Sequence, residues 1–363
     1  MMMPDSGKRA SLDRRHFLAL GVGGLVVAAL PRALAGRGRG LVTRTVPVMG
    51  TIATLRVVHD DVTVAERAID AALAELYRVD RTMTRFIRHS EVGRANVEAA
   101  THPVAVSAAT AAVVQRGLLW AERSGGSFDP CLGEACALWD VEHRREPPPS
   151  GDVRRFAGGG LYAQLELGRR MGETVVVYHS AEVALDLGGI AKGWAVDRAT
   201  DALRAHGIRD AIVEAGGDLY AMGLSERGDP WEIGVQSPSN PHEILARFPL
   251  TDRAVATSGD YQRFFDYHGR RYSHLLDPRT GEPRQTREHS VSVEAETCMD
   301  ADAGAGAPCP PPARIVPQIA SPGACSPISP EACAACPVRG AASRRASDSR
   351  ASVARAHRPP PAK

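Results

Sequence analysis

Asp186-Leu187-Gly188-Gly189-Ile190-Ala191-Lys192-Gly193 lies between a mostly apolar stretch, Val183 to Leu187, and a helical pattern, Trp194 to Leu203. Strand, glycine turn and helix start, in that order, aim backbone N–H groups and the positive end of a helix dipole at an anion. Glycines at 188 and 189 let a ligand approach the backbone with no Cβ in the way. Lys192 adds a formal positive charge at the same place. The expected ligand is a phosphate or pyrophosphate. The loop is not a P-loop, because Lys192 is followed by Gly193 and Trp194, and it is not G-x-G-x-x-G. On its own it is equally compatible with a tight strand-to-helix turn that binds nothing.

The flanking sequence alternates strand and helix signals. Residues 41 to 58 read as a strand pair around Met49-Gly50-Thr51. Val64 to Val79 repeats Ala68, Ile69, Ala72, Leu73 and Leu76 at helical spacing. Ser107 to Arg123 reads as a second helix with Ser107 as N-cap, ending at Gly125-Gly126. The charged, Pro/Gly-rich residues 143 to 159 read as a surface loop. Further strands are expected at Thr174 to His179, Ala184 to Leu187, Ala211 to Ala215, Trp231 to Val235, Ala254 to Thr257, Arg271 to Leu276 and Ser290 to Ala295. Ala191 to His206 is expected to be a helix. This mixed order predicts a single α+β domain.

The 363 residues are 44% hydrophobic and 24% charged, with net charge +2. That balance, with aromatics at 5%, gives no footing for nucleic acid. Lys8, Arg9, Arg14 and Arg15 precede an apolar run, Phe17 to Leu30, too short to span a bilayer comfortably. Ala33-Leu34-Ala35 fits the cleavage rule. Residues 1–35 are therefore expected to be a signal peptide. Arg14-Arg15-His16-Phe17-Leu18 gives it a twin-arginine look, hence a periplasmic protein, or a membrane-anchored one if the segment is uncleaved. After Ala307 the chain holds no Leu, Phe, Tyr, Trp, Met or Asn. Residues 307–363 read as a disordered tail. The domain itself is expected over 36–306. Of seven cysteines, Cys298, Cys309, Cys325, Cys333 and Cys336 crowd the end, and the C-x-x-C at 333–336 lacks a partner pair for a metal.

Other clusters carry chemistry: Gly126-Ser127-Phe128-Asp129-Pro130, Glu214-Ala215-Gly216-Gly217-Asp218, Ser273 to Pro283 with a histidine on a strand before an Asp-Pro turn, and Met299-Asp300-Ala301-Asp302-Ala303. Each alone is explained by turn chemistry. Together with Pro47 to Thr51, Ser90-Glu91 with Asn96, Asp186 to Asp197 and Thr257-Ser258-Gly259, they resemble, in order, the FAD:protein FMN transferases.

That resemblance implies magnesium-dependent transfer of the FMN half of FAD to a threonine or serine hydroxyl of an acceptor flavoprotein, with AMP released. The acceptor would be a subunit of a membrane or periplasmic redox system. It implies His274 as base, and the Ala191 carbonyl and Asp302 carboxylate as magnesium ligands. It implies Met49, Phe86, Ser127, Phe128, Asp129, Gly188, Gly189, Lys192, Asp197 and Leu275 around FAD. Tyrosine is frequent in the family where Phe86 stands. The sequence departs from the pattern after Asp302. Gly306 stands where a threonine is expected, and no apolar helix follows, as an altered reading frame would produce. The expectation is a domain incomplete at its C-terminus, with Asp302 poorly held. A non-catalytic FAD-binding protein and an FAD pyrophosphatase releasing FMN and AMP are the alternatives.

Overall fold

In the computed structural model the described residues are 25–27, 39–237, 240, 243–260, 263–285, 290–307 and 314–315. In chain order the principal elements begin with β1 (Leu25–Val27), β2 (Leu41–Val48), β3 (Thr51–Val58) and α1 (Val62–Met83). Then come α2 (Glu91–Glu98), β4 (Val104–Ala105), α3 (Ala108–Arg123), α4 (Gly133–Trp139), α5 (Ser150–Val153), β5 (Leu165–Arg170), β6 (Glu173–Tyr178) and α6 (Ala191–Ala205). The remaining strands are β7 (Asp210–Ala215), β8 (Asp218–Met222), β9 (Trp231–Gln236), β10 (Ile244–Leu250), β11 (Arg253–Gly259), β12 (Phe264–Tyr267), β13 (Arg270–Ser273), β14 (Leu276–Asp277), β15 (Glu282–Pro283) and β16 (Ser290–Ala295). The helix α7 (Cys298–Gly306) and the strand β17 (Arg314–Ile315) follow.

A seven-stranded sheet in the order β17-β16-β11-β8-β7-β3-β2 forms the middle layer. Its neighbours all pair antiparallel. Helices α1 and α6 cover one face through small residues, Ala65, Ala68 and Ala72 on one and Ala195 and Ala199 on the other, all buried. The opposite face packs Ile212, Leu219 and Val255 against Trp231, Ile233 and Leu250 of the smaller β1-β9-β10 sheet. Strand β8 is therefore buried on both faces along its whole length, as the apolar run Leu219 to Met222 after Asp218 requires. The α+β expectation holds.

Local signals explain most boundaries. The Asp61 carboxylate accepts the N–H groups of Thr63 and Val64, which starts α1 two residues before the expected helix. Ser107 caps α3 as expected, accepting from Thr110. Three expectations need correction. The loop at 143–159 contains the short helix α5 and a further turn at Arg154–Phe156. The strand expected at Arg271 to Leu276 breaks after Ser273, so His274 lies at a bend and not on a strand. Ala184 to Leu187 is not a strand but a single bridge, Leu132 to Ala184. The Asn96 side chain takes the place of a neighbouring strand there. Its Oδ1 accepts Leu185 N–H at 2.7 Å and its Nδ2 donates to Leu185 O at 2.9 Å.

Residues 1–35, expected from sequence to direct export, lie outside the described residues except for Leu25–Val27, which pairs with β9. The C-terminal segment does so after Ala307, except for Arg314–Ile315 beside Val293 and Glu294. The cysteines described, Cys131, Cys136 and Cys298, are free thiols.

Candidate active site

The glycine loop opens on an Asx turn, in which Asp186 Oδ1 accepts the N–H of Gly188 at 2.9 Å. The other oxygen, Asp186 Oδ2, pairs with Arg85 Nε at 2.9 Å. Arg85 in turn stacks over the Phe86 ring at 4.3 Å, and that ring is 77% exposed. An aromatic face therefore stands open beside the entrance to the loop. Neither loop glycine has a positive φ; their Cβ positions are crowded, that of Gly188 lying 3.0 Å from Asp186 Oδ1. A Cβ on Gly189 would lie 3.3 Å from the Phe128 ring.

Lys192 ends the loop, but its charge is not free for an anion. Its Nζ lies 2.9 Å from Asp218 Oδ2 and 3.1 Å from Asp302 Oδ1, and it donates to Gly188 O at 3.2 Å. Burial works against the ammonium, yet the two carboxylates outweigh it and hold the lysine pKa above its ordinary value. Burial and the neighbouring Asp302 charge drive the Asp218 carboxyl far up. The formal charge read from sequence is thus balanced inside the fold, a correction that only tertiary placement could supply.

Asp302 is 2% exposed. Besides the Lys192 contact it accepts the Gly193 N–H at 3.0 Å. Gly193 is glycine because α6 and α7 touch there: a Cβ would sit 2.2 Å from Cys298 O. The expectation that Asp302 is poorly held is therefore overturned. The short helix α7 exists, capped by Thr297 and buried along Ala301 to Ala305. Its sequence, CMDADAGAG, has no apolar period to announce it. Gly306 ends it, and a Cβ there would meet only Phe128, at 3.6 Å.

His274 follows β13. Trp139, Phe265 and Tyr272 stack beneath that hairpin, with ring centroids 5.6 Å and 5.1 Å apart in the two pairs. The His274 N–H donates to Arg263 O at 3.1 Å, and Nδ1 lies 3.4 Å from the same carbonyl. A carbonyl only accepts, so this contact favours the proton on Nδ1 and leaves Nε2 with its lone pair. Burial, reinforced by the Arg263 charge, pushes the imidazole down to about 4. Lys192 and Asp186 also act on that ring, which sets the histidine near the glycine loop. Arg263 carries the link further, donating to Gly50 O at 3.2 Å. Next to it Met49 turns the β2–β3 hairpin with φ 55°, followed by Gly50 at 68°, the paired left-handed backbone of a two-residue hairpin turn.

The remaining residues singled out from sequence fall around this centre. Phe128 is buried between Gly189 and Gly306. Ser127 offers its carbonyl to Arg284 at 2.7 Å. Asp129 accepts the N–H groups of Cys131 and Tyr162, at 2.9 and 3.1 Å, while burial lifts its carboxyl to about 6. Leu275 is half-buried beside His274. Ala191 is the first, buried residue of α6. Asp197 stands apart, since both of its oxygens are engaged by the N–H groups of Cys298 and Met299, at 2.8 and 2.9 Å. Sequence reasoning assigned no role to Arg85, Asp218, Arg263 or Arg284. Only Asp218 had a signal, the acid after two glycines.

The ApbE family matches residues 49–310. An FAD:protein FMN transferase of Treponema pallidum is 34% identical over 274 residues, covering 70% of this chain and 74% of the relative. One from Vibrio cholerae is 33% identical over 265 residues, covering 70% and 77%. The crystal structure of the ApbE protein from Thermotoga maritima superposes with a TM-score of 0.67 at 30% identity, over 74% of this chain and 86% of the other. The flavin transferase ApbE from Vibrio cholerae gives 0.64 at 31% identity, over the same shares. The chain belongs to the ApbE family.

Proposed function

We propose that this protein transfers the FMN half of FAD to a serine or threonine hydroxyl of an acceptor flavoprotein, releasing AMP and requiring magnesium. The observation that carries this reading is the buried Lys192–Asp218–Asp302 cluster, set on a glycine loop within electrostatic reach of a neutral His274. In the reaction the acceptor oxygen bonds to the FMN phosphorus. The phosphorus–oxygen bond of the pyrophosphate bridge breaks, and AMP departs with the bridging oxygen. The hydroxyl proton passes to His274 Nε2. A histidine held neutral is in the state that accepts it. The open face of Phe86 suits an isoalloxazine ring, and the glycine loop leading into the N-terminus of α6 suits a pyrophosphate.

Magnesium takes oxygen donors, and the residues present fit it. Asp218 Oδ2 is buried without an aligned hydrogen bond despite its nearness to Lys192. Asp302 and the Ala191 carbonyl stand on the facing elements. Among the described residues no three His, Cys, Asp or Glu side chains converge, so the ion would draw on backbone and substrate oxygens as well. When bound it would neutralise pyrophosphate charge. The acceptor is expected to be a subunit of a membrane or periplasmic redox system, reached after twin-arginine export.

The test incubates the protein with FAD, magnesium and an acceptor domain from a flavinylated redox complex. Covalent flavin fluorescence on the acceptor, with equimolar AMP, is expected. Free FMN with AMP would mean hydrolysis, and intact FAD would mean binding alone. His274→Ala is expected to lower single-turnover transfer about 10²–10⁴-fold with FAD affinity and melting temperature near the parent's; equal rates would remove His274 from the chemistry. Because the His274 pKa is depressed, the neutral base persists as pH falls through 6.5 and is lost only near 4. Its contribution to stability follows the same sign: full above the unfolded histidine value, lost as pH falls toward 4. A pH–rate profile that breaks near 6.5 in the parent but not in His274→Ala would contradict this.

A further inference from the structure

Arg284 joins three segments of the site through one planar group. Its Nε donates to Leu276 O at 3.0 Å, its Nη1 to Gly306 O at 2.7 Å and its Nη2 to Ser127 O at 2.7 Å. Its backbone N–H donates to Leu275 O at 2.7 Å. These carbonyls belong to Leu275 and the start of β14 just after His274, to the last residue of the helix that carries Asp302, and to the loop of Phe128 and Asp129. The guanidinium is spent on backbone oxygens and not on a carboxylate: among the described residues it forms no ion pair. Burial lowers its pKa, opposed by the Asp277 charge. Arg284 is half-buried, and what marks it is the directed use of its donors: a guanidinium fork committed to three carbonyls from three segments fixes geometry in a way a bare charge would not. The Gly306 carbonyl, at the negative end of α7, is a suitable acceptor for it.

We propose that Arg284 is a positioning residue for transfer, holding the His274 turn, the Ser127–Asp129 loop and the C-terminal end of α7 in fixed register. The inference rests on the transferase reading. The required feature is the fork: three donors leave the guanidinium in one plane toward three carbonyls. A lysine ammonium keeps the charge but lacks that planar geometry. Loss of the fork should let base and carboxylate drift relative to one another, and a misplacement of about 1 Å costs on the order of 10²-fold in rate.

The experiment uses the full chain, with Arg284→Ala and Arg284→Lys. It measures FAD affinity by flavin fluorescence, kcat and KM for transfer, and the ¹⁵N-histidine resonances of the His274 ring. Arg284→Ala is expected to lose about 10–10²-fold in kcat while FAD affinity changes less than about threefold. Guanidinium ion at low millimolar concentration should restore part of the rate and return the His274 resonances toward the parent's. Arg284→Lys should resemble the alanine variant more than the parent. Unchanged kcat, or unchanged His274 resonances in Arg284→Ala, would overturn the proposal. So would a loss of rate with proportionate loss of FAD affinity and no guanidinium rescue. If Arg284→Ala does not fold, the same readings on Arg284→Lys decide. A parent that binds FAD but transfers nothing would defeat the transferase reading instead, and the His274 resonances would still report on Arg284.

Discussion

The two ends of α7 are held by opposite means. At the N-terminal end both Asp197 oxygens accept helix N–H groups, and Thr297 Oγ1 accepts Asp300 N–H at 3.2 Å. Asp300 is gripped by Arg116 through two bonds, of 2.7 and 2.5 Å, and by Trp120 Nε1 at 2.8 Å. Carboxylates at a helix N-terminus complement the dipole, and charge-assisted bonds are the strong ones. Gly193 presses directly against this end. At the other end one guanidinium holds one carbonyl, and Gly306 has space beside it. Rigidity is thus concentrated where the rotation of Asp302 toward Lys192 is set. Two glycines in one site carry different meanings: one marks a contact with no room, the other marks room left over.

The largest effect should come from closing the tight end. In Gly193→Ala the new Cβ meets a backbone carbonyl 2.2 Å away, which no rotamer change relieves. A loss of about 3 kcal/mol or more is expected, at the severe end of overpacking, together with loss of metal-dependent transfer. A melting temperature within a degree or two of the parent's would refute the tight contact.

Asp300→Asn tests the grip around that end. Both partners are partly exposed, so the buried-pair penalty is discounted for solvent screening. A loss of about 1–2 kcal/mol at neutral pH is expected. Arg116, Trp120 and Thr297 together overcome burial and hold the Asp300 carboxyl below its ordinary value. Its stabilisation is therefore present above the unfolded carboxylate pKa and fades as pH falls through the folded one. Denaturant unfolding at several pH values should find parent and variant converging on acidification. A constant gap down to low pH would mean the bonds do not depend on the charge.

The smallest effect belongs to the loose end. Gly306→Thr should fit beside Phe128 and change stability by less than about 1 kcal/mol, since glycine is the poorer helix former. Thermal melts and a magnesium titration of transfer would check it. A loss beyond that range would show that the apparent space is needed for movement of Phe128.

Much of this arrangement is legible along the chain. Asp61 and Ser107 are caps by chemistry, α1 announces itself by apolar period, and Met49-Gly50 marks a hairpin. The glycine loop, His274 and Asp302 stand out because turn and acid–base chemistry restrict residue type. Other parts left no local trace. Helix α7 lacks an apolar stripe because it is enclosed by α6, β8, β11 and β16, and small residues let it enter. Asn96 does the work of a strand from 89 residues away, which no window around Leu185 contains.

The sequence by itself determined the elements whose signals are local: period, cap, turn and the types of side chain able to do the chemistry. Tertiary structure alone decided the charge state of the centre and the company of its residues. Lys192 reads as a bare cation in the chain and is a balanced one in the fold, because Asp218 and Asp302 reach it from β8 and α7. Electrostatics depends on distance through space and on exclusion of water, and neither quantity is written in the order of residues.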